Sequence, residues 1–138
     1  MERKTKELLF ILHPESIVET KVREGITELT LGELDNVTNA VNEIYDSNDE
    51  PKASLVIAPP FYLRKEVIKA YSTNNKMRYI ALAIVANSFA ARLVSGTLLG
   101  VRNRVALLQN KKATPSKVFA DKEKAIEWLL LELKKVRK

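Results

Sequence analysis

Leu8-Leu9-Phe10-Ile11-Leu12 is a short unbroken apolar run closed by His13-Pro14, and it predicts a core strand. From Ile17 to Arg23 the pattern changes to strict alternation. Val18, Thr20 and Val22 share one face, and Glu19, Lys21 and Arg23 share the other. That pattern predicts a half-exposed edge strand, paired antiparallel with the first. Glu24-Gly25 supplies a turn. Thr30-x-x-Glu33 has the form of a capping box, and behind it Leu34, Val37, Val41 and Ile44 recur at helical spacing. The helix ends in the polar stretch 46–51. Ala53 to Ala58 reads as a strand buried on both faces and stopped by Pro59-Pro60. Leu63, Val67, Ile68 and Tyr71 mark a short helix, with 72–76 as its return loop. Tyr79 to Ala86 reads as a second buried strand. Ser88 is placed to cap a long helix stepping through Ala90, Val94, Leu98, Val101, Val105 and Leu108. After a loop over 110–116, Lys117-Val118-Phe119 forms a last short strand. Asp121 then caps a helix carrying Ala125, Trp128 or Leu129, Leu133 and Val136.

A hairpin followed by strand–helix repeats predicts an α/β fold, with a mixed sheet of four to five strands and about four helices. The 138 residues suit a single domain over residues 1–138, and no repeat, linker or low-complexity tract divides them. The polar start, residues 1–6, runs into an apolar stretch too short for a signal-peptide core. Tyr79 to Val101 is the one candidate membrane span. Its Arg92 lies near the centre, where a charge costs ~2.5–3.5 kcal/mol on insertion scales. A buried strand followed by a helix accounts for the same residues. The expectation is a cytoplasmic protein with no membrane span.

Composition narrows the chemistry. The chain has no cysteine and one histidine, His13, which leaves no thiolate or histidine-rich metal site to build. No phosphate loop, nucleophile elbow or dinucleotide fingerprint is present. We therefore expect no enzyme activity, no cofactor and no metal. The charge, +6 overall, is unevenly spread: residues 1–50 carry −7, residues 51–100 carry +6, and residues 101–138 carry +7. Such a chain can pair its halves within the fold or with a second copy as a homodimer. Arg102, Arg104, Lys111, Lys112 and Lys117 form the densest basic patch. It could meet Glu33, Asp35, Glu43 and Asp46 of another chain, a nucleic acid, or anionic lipid.

Several stretches together resemble a known group. They are Ala83-Ile84-Val85-Ala86-Asn87-Ser88, the helix bearing Arg92-Leu93-Val94, the run from Lys111 to Asp121 through Pro115 and Phe119, and Ala125-Ile126-Glu127-Trp128-Leu129. The group is the small bacterial proteins similar to anti-sigma-factor antagonists, of the STAS-like class. The resemblance is clearest over residues 80–131. It implies a single STAS-like domain, in which Trp128 anchors the last helix on the sheet. It also implies a protein–protein signalling role, switched in that class by phosphorylation of a serine or threonine after a central strand. Here the corresponding segment, 58–64, has neither residue, so the switch is not carried over.

The functional expectation is a non-catalytic interaction or regulatory module lacking the phosphorylatable serine. The alternative is a small-molecule or lipid carrier whose pocket opens near Phe61, Tyr62 and Leu63; a further alternative is a nucleic-acid binder using the basic C-terminal half. The candidate ligand or partner surface comprises Phe61, Tyr62, Arg64, Ser88 and Arg92, at the strand ends where open α/β sheets bind. Asn87-Ser88 with Arg92 could receive an anion at a helix start; the simpler reading has Ser88 capping its helix and Arg92 pairing with an acidic neighbour.

Overall fold

The computed structural model describes residues 1–61, 63–72, 78–88, 91–93, 95, 96, 99, 100 and 114–136. They form one six-stranded mixed sheet, one strand more than the pattern predicts. The strands are β1 (Glu2–Lys4), β2 (Leu8–Leu12), β3 (Ile17–Val22), β4 (Ala53–Ile57), β5 (Leu82–Val85) and β6 (Ser116–Phe119). They lie side by side in chain order. β1, β2 and β3 pair antiparallel, and β3 to β6 pair parallel. The additional strand is β1. Its sequence, Glu-Arg-Lys, has no apolar signature, and it forms by pairing Arg3 with Phe10 on an edge where charge is tolerated.

Parallel pairing with β4 changes the standing of β3. The alternating pattern predicts an edge strand, but β3 lies between β2 and β4. Its polar face is covered too, so Glu19 is buried. Ser16 enters β3 at φ 67°, a left-handed conformation in the turn whose backbone bonds are His13 N–H to Ile17 O and Ser16 N–H to His13 O. Gly25 leaves the strand at φ 85°, where a side chain would be strained.

The helices are α1 (Leu34–Tyr45), α2 (Lys65–Ser72) and α3 (Lys122–Val136), and residues 91–93, 95, 96, 99 and 100 are also helical. A 3-10 turn at Leu31–Glu33 leads into α1. Each parallel connection advances to the next strand in the same sense. Right-handed crossovers of that kind place α1, α2 and the helical residues of 91–100 on one sheet face. α3 follows the last strand and returns along the other face. It seats Ala125, Leu129 and Leu133 on Ile17, Ala53, Leu55, Ala83 and Val85. Ala53, Ala81, Ala83 and Ala125 are all fully buried there, and their small size lets the helix lie close to the sheet. Trp128 packs against this cluster with its ring 5.7 Å from that of Phe119, while Val136 is exposed.

Local capping divides the two long helices. Asp121 caps α3 as its position predicts, its carboxylate accepting from Glu123 N–H at 2.8 Å. The capping box at Thr30 and Glu33 does not form. The Thr30 hydroxyl instead donates to Glu7 at 2.9 Å, and Glu33 accepts from Lys6 N–H and the Asn36 amide, both at 2.7 Å. Glu7 and Glu33 are therefore buried carboxylates satisfied by backbone and side-chain donors, and Glu33 is not part of an acidic surface open to another chain. Lys52 is buried at the start of β4. Its ammonium donates to the carbonyls of Tyr45, Asn48 and Glu50 and to the Asn48 side chain.

Charge pairing joins the acidic and basic parts of the chain within the fold. Arg64 meets Glu28, Arg78 meets Asp46, and Lys122 meets Glu19 across 103 residues of sequence. None of the described helices is long and apolar enough to cross a membrane.

Candidate functional site

The two faces of the sheet are covered unequally. α3 fills its face. On the other, α1 packs over Phe10 and Val18, and Leu99 packs over Leu82 and Ile84. α2 touches the 3-10 turn more than it touches any strand, so the strip between these two clusters is bridged and not filled. The space left is a cavity of about 570 Å³. That lies in the range of small-molecule sites, ~300–1,000 Å³.

Its floor is the sheet, with Val18 and Thr20 from β3, Ser54 and Val56 from β4, and Ile84 from β5. Val37 and Val41 of α1 form one wall, and Val67, Ile68 and Tyr71 of α2 form another. Pro59, Pro60, Phe61, Asn87 and Ser88 line the end where β4 and β5 finish. Because β4 and β5 are parallel and in register through Ile57 and Val85, both following loops meet at that edge, as the sequence predicts.

The polar groups of the lining are few and unevenly placed. Lys21 is the only charged residue among the described lining positions, and it is exposed. Thr20 and Ser54 are diagonal neighbours on the floor, since the register pairs Val18 with Ser54 and Thr20 with Val56. Neither hydroxyl has a hydrogen-bond partner among the described residues. The Tyr71 hydroxyl is fully enclosed and also unpartnered. Burial pushes its pKa up to about 12, and the negative charges of Glu7 and Glu33 add to the effect.

The predicted surface residues separate in the structure. Phe61 and Ser88 reach the cavity mouth. Arg64 is exposed and paired with Glu28. Ser88 caps the helical residues, its hydroxyl accepting from Ala91 N–H at 3.0 Å. Arg92 donates to the Ala86 carbonyl at 3.3 Å, where the sequence reading gives it an acidic partner. Tyr62, Arg102, Arg104, Lys111 and Lys112 lie outside the described residues. Lys117 is exposed, with its ammonium 5.3 Å from the Phe119 ring centre. A different basic recess does appear beside β1. Arg3, Lys4, Lys6 and Arg23 surround it, four of the five basic residues in the acidic first third of the chain.

On the α3 side, buried Glu19 accepts from Lys122 at 3.2 Å and lies 2.8 Å from His13 Nε2. Burial alone would raise its pKa, yet hydrogen bonds and charge from His13 and Lys122 hold it below the ordinary carboxylate value. The sequence reading treats His13 as a plain turn residue. The alternating pattern puts Glu19 on an exposed face, which hides this partner from the sequence. Among the described residues no group of three or more acidic, histidine or cysteine side chains is placed to hold a metal.

The polar floor was also missed. A signal for it exists: Ser54 interrupts an otherwise apolar strand, and Thr20 sits on the apolar face of an alternating one. No protein-family model, curated protein or solved structure matches this chain.

Proposed function

We propose that the chain is a non-catalytic, STAS-like binding domain that holds a small apolar molecule between its sheet and α1–α2. The observation that carries this reading is the cavity of about 570 Å³. An open, mostly apolar cleft of this size with a few polar groups is the usual form of a small-molecule site. This one sets Thr20 and Ser54 among the aliphatic Val18, Val56 and Ile84 on its floor, and it opens at the strand ends where α/β sheets bind ligands. The carrier alternative drawn from the sequence thus gains more support than the interaction module. Among the described lining residues no nucleophile is set beside a base, and binding without turnover is proposed on that ground.

The test is a fluorescence titration with Nile red, a neutral dye that brightens in apolar surroundings. Saturable binding of one dye per chain is expected. Val56→Trp, which places an indole in the cavity, should leave the fold intact by circular dichroism and weaken the dye at least tenfold. No saturable binding to the native chain, or equal binding by a folded Val56→Trp protein, would remove the reading.

A second reading, self-association through α3, has one observation in its favour. Leu130 and Leu131 are exposed on that helix, Leu131 at 60%. Light scattering should then report a dimer that Leu131→Glu converts to a monomer.

A further inference from the structure

From the placement of Thr20 and Ser54 we infer that the cavity selects an uncharged ligand. That ligand carries a carbonyl or hydroxyl oxygen at its inner end and an alkyl chain running to the mouth. The inference rests on the carrier reading and specifies its ligand. On the floor, Val18 and Ser54 are neighbours across one strand pair, and Thr20 and Val56 are neighbours across the same pair. The two hydroxyls are therefore diagonal to one another on one face, framed by valines. Ser54 also has Leu82 beside it on β5.

Ser54 is buried and Thr20 half-buried, both line the cavity, and no described residue hydrogen-bonds either hydroxyl, which leaves both open to a ligand. A ligand oxygen between them would accept from either. The ligand's own hydroxyl could also donate, because Ser and Thr both give and take hydrogen bonds.

The same geometry argues against an acid. Lys21 is the only charged residue among the described lining positions, and no cation lies among the floor residues Val18, Thr20, Ser54, Val56 and Ile84. A carboxylate delivered to Thr20 and Ser54 would lose its water without gaining a counter-charge, so it would bind as the neutral acid or not at all. An anion is further disfavoured by the buried carboxylates of Glu7 and Glu33, which lie near enough to raise the Tyr71 hydroxyl.

Direction follows from distance. Ser54 is four residues before Ala58 on the same extended segment, which places it ~13 Å inside the mouth at ~3.3 Å per residue. Along that path the lining is Val56, Ile57, Ala58 and the two prolines, with Phe61 at the opening, and these suit an alkyl chain. The polar end enters first.

Displacement of Nile red by methyl decyl ketone and by dodecanoate at pH 7 tests this on the full chain. The ketone is expected to displace the dye at least tenfold more effectively than dodecanoate. In the double variant Thr20→Val with Ser54→Ala, with its own dye affinity measured first, the ketone should lose most of its preference over dodecanoate. If dodecanoate competes as well as the ketone, the inference is overturned. It is equally overturned if the preference survives in the double variant, or if Lys21→Ala abolishes dodecanoate binding that matches the ketone's. In each of those outcomes Nile red still binds, so the carrier reading stands. Failure of Nile red to bind the native chain removes that reading and the inference with it.

Discussion

Tyr71 places a hydroxyl where neither water nor a protein acceptor reaches it, although its ring packs usefully against the α1 cluster. An unsatisfied buried polar group costs ~1–3 kcal/mol, whereas removing it leaves the ring's packing untouched. Tyr71→Phe is therefore expected to leave stability unchanged or raise it, by up to ~1 kcal/mol, in urea unfolding. Its pH behaviour has a definite sign. In the unfolded chain the phenol releases its proton near 10.0, while the folded chain retains it until about 12. The folded state binds more protons across that window, so stability is intact below pH 10 and falls as pH rises through the window. Phe at this position should flatten that part of the alkaline decline. A loss of ~1 kcal/mol at neutral pH would show instead that the hydroxyl has a partner.

The elements differ in how they are fastened. α3 is held by its own cap and by three fully buried side chains, Ala125, Leu129 and Leu133. α1 begins on tertiary bonds, because Thr30 and Glu33 both serve the turn before β2 and not the helix end. Asp121→Ala should accordingly cost ~1 kcal/mol, the usual value of a cap. Thr30→Val should cost more, ~1.5–3 kcal/mol, because it removes a hydrogen bond to the buried Glu7 carboxylate. Paired urea titrations check the order. If Thr30→Val and Glu7→Gln add independently, the bond between them is not what stabilises this corner. The same contrast explains what was legible in the sequence. Periodicity found α1, α3 and strands β2 to β6, since burial of one face dictates side-chain spacing. Asp121 was legible because its partner is two residues away. Glu7 with Thr30 and Glu19 with Lys122 were not, because 23 and 103 residues separate those pairs. β1 was invisible for a related reason: an edge strand of three charged residues owes its conformation to distant partners, β2 beside it and Glu43 of α1. Phe61 was found at the mouth from its prolines and its place after a strand. The hydroxyls on the floor needed the register of β3 against β4.

At the scale of the whole molecule, three ion pairs among the described residues bridge the division of charge within the fold. Arg64–Glu28, Arg78–Asp46 and Lys122–Glu19 each join the acidic third of the chain to its basic remainder. Exposed pairs such as Arg64–Glu28 contribute only ~0–1 kcal/mol each, so they set how parts of the chain meet more than how stable the result is. The asymmetry with larger consequences is between the two sheet faces. One is closed by α3 over small residues, and the other keeps a cavity beneath α1 and α2. Methyl-resolved NMR reads that difference. On addition of methyl decyl ketone, shifts and contacts from the ligand are expected at methyls of Val18, Val37, Val41, Val56, Val67 and Ile84, and none at Ile17, Leu55, Leu129 or Leu133 on the α3 side. Contacts confined to the α3 side, or shifts no larger than those of a chain blocked by Val56→Trp, would contradict that expectation.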